Sequence, residues 1–353
     1  MMNSSYMSGV YLMRHGGPDA LEWREDIPVP KPAEGQVLVK VLAAGVNNTD
    51  INTRIGWYSS DVAGATDDVD EDADIEAGGW GGALQFPRIQ GGDICGEVVE
   101  VGGGVTNVGM GARVTCQINI PRSTGDNPFG YIALGSERDG AFAEYCVLDA
   151  ADVFDVTATP LSDEEIAAIP CGYGTAYNML SRAKVGSGQS VLITGASGVV
   201  GLAAVQLASA LGATVTGVAS TGKAQGLLAA GAKHVIARSD TLPEDAFDAV
   251  VDVVGGPAWS EVIRATKPGG HYAVSGAIAG PIVEADLREI YLRDITIHGC
   301  SFMPRDTFAK LIELANSGVV KPVIAKTYPL RDIAKAQEDF QAKDHVGKLI
   351  LVP

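Results

Sequence analysis

Residues 191–208 read VLITGASGVVGLAAVQLA, and their pattern decides the fold. An apolar run predicts a buried strand, and the alanine-rich segment that begins near Val199 predicts an apolar helix. A glycine triplet alone is weak evidence, but at a strand-to-helix turn it predicts backbone N–H groups that face a pyrophosphate. The alternative is a turn in which glycines only allow tight packing. The dinucleotide-binding residues predicted for this turn are Gly195, Ala196, Ser197, Gly198, Val199, Val200 and Gly201.

Strand and helix patterns alternate on both sides of this turn. The segments ATVTGVAS, HVIA, FDAVVDVVGG, GGHYAVSGA and DITIHGCS are nearly continuous apolar runs, as parallel strands covered on both faces require. Residues 162–184 predict a helical region before the first strand, with Ser162 as N-cap and Glu165 completing a capping box. We therefore predict an α/β fold whose doubly wound parallel-sheet (Rossmann) cofactor domain spans residues 162–302.

The first part of the chain has a different texture. Short alternating segments such as GQVLVKVLAAGV (35–46) predict a small bent β-barrel, and we interpret residues 8–58 as β-structure. Residues 303–353 predict two helices and a last strand, GKLILVP, that has no partner nearby in sequence. We expect that strand to return to the first domain, which then comprises residues 1–161 and 303–353.

An acidic stretch covers residues 59–86. Eight acidic residues lie between Asp61 and Glu76, without the spacing or the glycine of a calcium-binding loop. We interpret the stretch as a solvated loop inserted into the first domain.

Composition limits the classes of partner. The formal net charge of −17 argues against nucleic acid and anionic membranes, which select basic surfaces. No apolar run approaches the roughly 18 residues of a membrane span, and the first residues lack a signal-peptide pattern. Five scattered cysteines without CxxC spacing indicate reduced thiols in a cytoplasmic protein.

The choice of dinucleotide depends on the segment VASTGKAQ. An NAD-binding fold places an acidic residue about 20 residues after the glycines, to bind the ribose hydroxyls. This chain has Ser220, Thr221 and Lys223 there, and Arg238 follows the next strand. Hydroxyl groups and cations suit a 2′-phosphate, so we predict NADP, with NADPH preferred over NADH. The alternative is that Lys223 is an ordinary exposed helix lysine.

Several segments together resemble the medium-chain dehydrogenase/reductase superfamily over nearly the whole chain. They are GVNNTDINTRIGWY (45–58), QGGDICGEVVEVG, DGAFAEY, IPCGYGTAY, the glycine turn and GKLILVP. The chain looks most similar to the zinc-free quinone oxidoreductase and enoyl-reductase branch, since Asn47, Asp50, Arg54, Gly56 and Tyr58 meet its N-x-x-D-x-x-x-R-x-G-x-Y pattern. The resemblance implies a GroES-like barrel as the catalytic domain and a homodimer formed through DITIHGCSF. Val199 departs from the family's second glycine.

The same resemblance locates the positions of the zinc ligands. Zinc-dependent members carry a cysteine where this chain has Asn47, after a predicted edge strand, and a histidine in a G-H-E segment. That segment here is Gly91, Gly92 and Asp93, so only Cys171 stands at a ligand position. Catalytic zinc needs about three protein ligands, and the cysteines of a structural zinc lobe are also absent, so we expect no zinc. Cys171 is interpreted as a small buried residue that lines the cofactor cleft.

A site without a metal restricts the substrate class. Zinc lowers the pKa of an alcohol, whereas quinones and α,β-unsaturated carbonyls accept hydride directly and need only hydrogen-bond donors and a proton. The resemblance implies that Asn47 lies near the nicotinamide with its amide available to cofactor or substrate, and that Tyr58 donates to the developing oxyanion or only packs. Asp50 and Arg54 are expected to pair and hold the loop.

Further residues are expected at the cofactor by resemblance, with Lys348 open to a second interpretation as a surface strand lysine. They are Thr175, Val254, Gly255, Ser275, Gly276, Ser301, Phe302 and Lys348. The predicted activity is zinc-independent, NADPH-dependent reduction of a quinone or α,β-unsaturated carbonyl. Two alternatives remain: a zinc-type alcohol dehydrogenase or aldehyde reductase, and a non-catalytic NADPH-binding regulator.

Overall fold

A computed structural model describes residues 5–68, 78–80 and 84–353. Parts of the predicted acidic loop, residues 69–77 and 81–83, lie outside the described residues. Contacts group the described chain into two units, one of residues 5–62, 78–80, 84–171 and 304–353 and the other of residues 63–68 and 172–303. The domain boundaries after residues 161 and 302 stay a prediction.

The described residues form eighteen strands and nine α-helices. The strands are β1 (Tyr6–Leu12), β2 (Leu21–Pro28), β3 (Gln36–Gly45), β4 (Arg88–Ile89), β5 (Cys95–Val101), β6 (Arg113–Cys116), β7 (Asn119–Pro121), β8 (Tyr131–Ala133), β9 (Tyr145–Asp149), β10 (Val153–Asp155), β11 (Ser190–Ile193), β12 (Thr214–Ala219), β13 (His234–Ala237), β14 (Phe247–Asp252), β15 (Thr266–Val274), β16 (Thr296–Gly299), β17 (Ile324–Pro329) and β18 (Lys348–Val352). The helices are α1 (Asn48–Arg54), α2 (Asp163–Ala167), α3 (Gly174–Arg182), α4 (Val199–Ala210), α5 (Ala224–Ala229), α6 (Trp259–Ala265), α7 (Arg288–Tyr291), α8 (Arg305–Asn316) and α9 (Ile333–Ala342).

The unit of residues 172–303 contains one six-stranded sheet in the order β13-β12-β11-β14-β15-β16. All five neighbouring pairs are parallel. Numbered by appearance, this order is 3-2-1-4-5-6, which is the Rossmann arrangement. Val191, Leu192 and Ile193 of the central strand are fully buried, as expected for a strand covered on both faces. The predicted doubly wound fold is confirmed.

The other unit is built on antiparallel strands around β3. This strand pairs with β5, β9 and β18, so the prediction that residues 45–58 follow an edge strand is wrong. The last strand does return to the first part of the chain, where Ile350 pairs with Gly45. It also has a close neighbour in sequence, because β17 pairs with it in parallel. The expectation of no nearby partner is therefore wrong.

Residues 48–54 form helix α1, so the interpretation of residues 8–58 as entirely β is wrong for this segment. Asn47 is the N-cap, and its backbone N–H donates to the Asp50 side chain at 2.8 Å. A carboxylate three residues after the N-cap satisfies a donor that the first helical turn leaves unpaired. Ile51 and Ile55 are buried and fix the helix on the core.

Other local signals behave as predicted. Ser162 and Glu165 form both hydrogen bonds of a capping box at the start of α2, and Gly318, with φ +76°, follows the end of α8. All five cysteines are free and buried. Among the described residues, no helix combines the length and apolar character needed to cross a membrane.

Candidate active site

Four polar side chains meet inside the first unit at the end of β3. Asn47 follows β3, Asp50 lies in the first turn of α1, Asp93 precedes β5, and Lys348 is the first residue of β18. Because β18 and β5 both pair with β3, their polar residues converge beside Gly45. The four residues have exposed fractions of 0 to 5%. They form a buried polar cluster.

The Lys348 ammonium group lies at the centre of this cluster. Its Nζ forms an ion pair with Asp93 Oδ2 at 2.5 Å and donates a hydrogen bond to Asn47 Oδ1. Asn47 Nδ2 donates to the same Asp93 oxygen at 2.8 Å. A Cβ on Gly45 would lie 2.5 Å from both Asp93 Oδ2 and Lys348 Cε, so only glycine leaves room for the pair.

The position of Lys348 corrects one interpretation from the sequence. It is 1% exposed, so it is not a surface strand lysine. The Asn47 side chain accepts a hydrogen bond from Lys348 and donates hydrogen bonds to Asp93 and to the Gly45 carbonyl. The expectation that its amide N–H groups are available to a ligand is wrong in this structure, because they already have acceptors within the protein. A charged residue inside the apolar strand KLILV is the signal that could have indicated burial with a partner.

Asp50 is 5% exposed, and none of the ion pairs found in the described part of the chain includes it. Burial raises its pKa to about 7, and the Asp93 charge adds to this, while Lys348 and the N–H groups of Asn47 and Gly92 oppose it. The Asp50 carboxyl group therefore exchanges its proton near neutral pH, next to the Lys348–Asp93 pair.

Arg54 has a structural position. Its Nε donates to Gln337 Oε1 at 3.0 Å, and its Nη1 donates to the carbonyl oxygen of Gly16 at 2.6 Å. These bonds connect α1 with α9 and with the segment before β2. The expected pairing of Arg54 with Asp50 is wrong, because Asp50 is turned toward Asn47 as the helix cap.

Tyr58 lies half-buried between two indole rings. Its ring contacts Trp57 and Trp80 edge to face, with centroids 5.5 and 5.6 Å apart. Burial raises the pKa of its hydroxyl, and the nearby side chains of Trp80 and Asn52 act in the opposite direction. The phenol therefore keeps its proton at neutral pH and can donate a hydrogen bond.

The residues at the zinc-ligand positions do not fit a catalytic zinc. Burial raises the pKa of the Cys171 thiol to about 12, with the Asp93 charge contributing. Asp93 accepts the Cys171 N–H at 2.6 Å on Oδ1 and is bound by Lys348 and Asn47 on Oδ2. In the described part of the chain no group of three His, Cys, Asp or Glu side chains could hold a metal.

The glycine turn in the second unit has the geometry of a phosphate cradle. Gly195 has φ +55°, and a Cβ on Gly201 would lie 2.3 Å from the Gly195 carbonyl oxygen, so both positions require glycine. Helix α4 begins at Val199 with Gly198 as N-cap. The first turn of a helix has N–H groups without intrahelical acceptors, and these suit a pyrophosphate. Ala196, Ser197 and Val200 belong to the same segment of the chain, and Thr175, which is also predicted to bind the cofactor, is half-buried at the start of α3.

The residues predicted for the 2′-phosphate lie at the carboxyl ends of two neighbouring strands. Ser220, Thr221 and Lys223 follow β12, and Arg238 follows β13. The Arg238 N–H donates to the Ala219 carbonyl at 3.2 Å, which holds the two strand ends together. Ser220, Thr221 and Arg238 are exposed, and Lys223 is half-buried.

The remaining predicted residues follow the later strands of the same sheet. Ser275 Oγ donates to the Cys300 carbonyl at 2.9 Å, and the Phe302 carbonyl accepts from Arg182 at 2.8 Å. Gly276 packs against Val253, and Val254 and Gly255 follow β14. Ser301, next to Phe302, is exposed. Sequence reasoning missed Asp252, whose side chain binds Thr194, Tyr272 and the N–H of Val254.

Comparison with known proteins gives two family matches. Residues 33–158 match the alcohol dehydrogenase GroES-like domain, and residues 199–317 match the zinc-binding dehydrogenase family. The second description names a metal that the residues at the ligand positions of this chain do not fit.

Three similar proteins cover nearly the whole chain. The acryloyl-coenzyme A reductase of Metallosphaera sedula is 31% identical in an alignment of 349 residues that covers 95% of this chain and 97% of that protein. The quinone oxidoreductase of Rattus norvegicus is 28% identical over 98% of each chain. The crystal structure of a putative alcohol dehydrogenase from Sinorhizobium meliloti 1021 is 39% identical and covers 99% of this chain and 97% of its own, with a TM-score of 0.87.

Proposed function

The chain belongs to the medium-chain dehydrogenase/reductase superfamily of oxidoreductases, and from this premise we propose that it is a zinc-independent, NADPH-dependent reductase of α,β-unsaturated carbonyls or quinones. Within that class, an enoyl thioester is the first substrate to test, since the acryloyl-coenzyme A reductase is 31% identical. Quinones follow from the likeness to the quinone oxidoreductase.

The observation that carries the proposal is the Lys348 ammonium group between Asn47 and Asp93. A cation that forms an ion pair at 2.5 Å with a fully buried carboxylate competes with any metal ion for that carboxylate. Electrostatic repulsion between Lys348 and a divalent cation acts in the same direction. This supports a site whose positive charge comes from the protein.

Each residue of the site then has a limited chemical task. NADPH, when bound, supplies the hydride. Tyr58 donates a hydrogen bond to the substrate carbonyl oxygen, where negative charge develops, and its raised pKa keeps that donor in place. Lys348 adds a fixed positive charge near Asn47, and Asp50 accepts the Asn47 N–H at the start of α1 and so fixes the position of Asn47. The proton that completes the reduction comes from solvent or from Tyr58.

The residues for the dinucleotide are proposed from the second unit. The N–H groups between Gly195 and Gly201 bind the pyrophosphate, and Ser220, Thr221, Lys223 and Arg238 bind the 2′-phosphate. The support is their place at the carboxyl ends of parallel strands, where doubly wound sheets bind ligands.

The proposed assembly is a homodimer in the cytoplasm, formed through the edge of the parallel sheet. Among the described strands, β16 pairs with β15 alone and leaves its other edge unpaired. Large apolar side chains are exposed in the residues that precede it in the chain, including Tyr291 at 62% and Leu292 at 68%. Sedimentation velocity measures the mass directly, and a monomer at micromolar concentration would contradict the dimer.

One kinetic comparison tests the proposed function. NADPH oxidation is measured with acryloyl-coenzyme A, a benzoquinone and an aldehyde, and NADP reduction is measured with a primary alcohol. We expect turnover with one or both conjugated substrates and only trace rates with the aldehyde and alcohol. NADH in place of NADPH should raise the KM for the cofactor.

Two results would contradict the proposal. Faster turnover with the alcohol and aldehyde would favour the alcohol dehydrogenase alternative, to which the 39% identical neighbour points by its name. Tight NADPH binding without turnover of any substrate would favour a regulator.

A further inference from the structure

The carboxylate of Asp252, at the end of β14, is 1% exposed and collects hydrogen bonds from two directions. Its Oδ1 accepts from Thr194 Oγ1 at 2.5 Å and from the Val254 N–H at 2.8 Å. The Gly255 N–H lies 3.3 and 3.4 Å from the two carboxylate oxygens. The Tyr272 hydroxyl donates to Oδ2. Every partner belongs to the second unit.

The bonds from Thr194 connect it with residues 58 and 59 positions further along the chain. Thr194 lies between the end of β11 and Gly195, and a second segment, residues 253–256, follows β14. The Thr194 hydroxyl also accepts the Val253 N–H at 3.2 Å, so it bonds to both sides of the junction. A Cβ on Gly195 would lie 3.1 Å from Cγ2 of Val253 and of Val254, so the glycine turn rests directly on the second segment.

The second segment has a backbone that needs this support. Gly255 has φ +59° and ψ −141°, and Gly256 has φ +67°. Glycine reaches these conformations, but they cost it more chain entropy than a regular strand costs other residues. The Asp252 carboxylate binds the Gly255 N–H and thereby selects one conformation of the segment.

Burial of the Asp252 carboxylate costs desolvation free energy. No ion pair found among the described residues includes Asp252, so only neutral donors compensate its desolvation. An apolar side chain of similar size would avoid that cost. Three of its partners are Thr194, Val254 and Gly255, and they lie on the two segments that border the glycine turn.

We propose that Asp252 is a positioning residue for the dinucleotide, which holds the Val254–Gly255 segment against the glycine turn. The inference rests on the proposed binding of NADPH to that turn. Asp252 fixes the backbone that binds the nicotinamide half of the cofactor, whereas binding of the adenosine half depends on Ser220, Thr221 and Lys223 at the end of β12. The ligand class is the nicotinamide mononucleotide half of the cofactor.

The test compares two ligands on the full chain by isothermal titration calorimetry. NADPH occupies both halves, whereas 2′,5′-ADP has the adenosine 2′-phosphate and lacks the nicotinamide half. Asp252→Asn should weaken NADPH binding about tenfold and 2′,5′-ADP binding less than about twofold, since it alters the hydrogen bonds to Gly255. Thr194→Val, which removes the hydroxyl bond across the junction, should give a smaller change in the same direction.

Tyr272→Phe is the matched control. It removes one buried hydrogen bond to the same carboxylate but none to the two segments, so it should lower the melting temperature and leave both dissociation constants near those of the unmodified chain. Equal weakening of both ligands by Asp252→Asn, or unchanged NADPH binding, would overturn the inference. If Asp252→Asn does not fold, unchanged NADPH binding by Thr194→Val overturns it. Failure of the unmodified chain to bind either ligand would instead overturn the proposed function and the inference together.

Discussion

The substitution Asp50→Asn should change how the stability of the protein depends on pH. Asp50 is buried in the first turn of α1, and its pKa is raised from 3.8 to about 7. The folded state holds this proton more tightly than the unfolded state does. The protonated Asp50 carboxyl group therefore stabilises the fold fully below about pH 4, and this stabilisation is lost as pH rises through 7. Asparagine cannot ionise, and its carbonyl oxygen can still accept the Asn47 N–H.

The magnitude follows from the shift. One pKa unit corresponds to about 1.4 kcal/mol, so a shift of about three units costs about 4 kcal/mol once Asp50 is fully ionised. Part of this cost is already present at pH 5, where the unfolded carboxyl is ionised. Between pH 5 and pH 8, the free energy of unfolding of Asp50→Asn should rise relative to that of the unmodified chain by about 2.5 kcal/mol.

Urea denaturation at half-unit pH steps measures this difference, because all other groups titrate alike in the two proteins. Asn48→Gln is a suitable control, since it alters the same helix without an ionisable group and should follow the unmodified chain at every pH. A difference between Asp50→Asn and the unmodified chain that does not vary from pH 5 to pH 8 would refute the assignment, as would a difference of the opposite sign.

Three further predictions concern the other site residues. Lys348→Met leaves the Asp93 carboxylate buried without its cation and should lower the free energy of unfolding, measured in urea, by about 3–5 kcal/mol. Adding Asp93→Asn should restore part of this stability, and no recovery in the double variant would contradict the ion pair. Lys223→Ala and Arg238→Ala should each raise the KM for NADPH about tenfold in steady-state kinetics and leave the KM for NADH unchanged. Equal changes for both cofactors would show that these residues do not bind the 2′-phosphate. Tyr58→Phe should lower kcat with an enone about 100-fold at an unchanged KM for NADPH, and undiminished turnover would remove Tyr58 from the mechanism.

The parts of the fold that the sequence predicts well are specified by neighbouring residues. The parallel sheet follows from apolar runs such as Val191–Ile193, and the start of α2 follows from Ser162 and Glu165, which lie three residues apart. In each case the interacting residues lie within one strand or one helical turn, so the pattern is visible in the order of neighbouring residues.

The parts that it does not predict depend on contacts between distant residues. Lys348 and Asn47 are 301 positions apart, and only the pairing of β18 with β3 places the ammonium group beside that amide. The role of Asp252 cannot be predicted from the apolar strand pattern around it. Its bonds to Thr194 and Tyr272 form because β11 and β15 lie on either side of β14. Helix α1 is the exception: Asn47 and Asp50 have N-cap spacing, a local signal that was visible beside the β-pattern.

The central claim is hydride transfer to a conjugated carbonyl without zinc. Protein prepared without added metal is dialysed against a chelator, its zinc content is measured by mass spectrometry, and NADPH-dependent reduction of acryloyl-coenzyme A and of a benzoquinone is followed in the same sample. The account predicts full turnover of one of the two substrates at a zinc content far below one atom per chain. Loss of turnover on dialysis, with recovery when zinc is returned in proportion to the zinc bound, would contradict it.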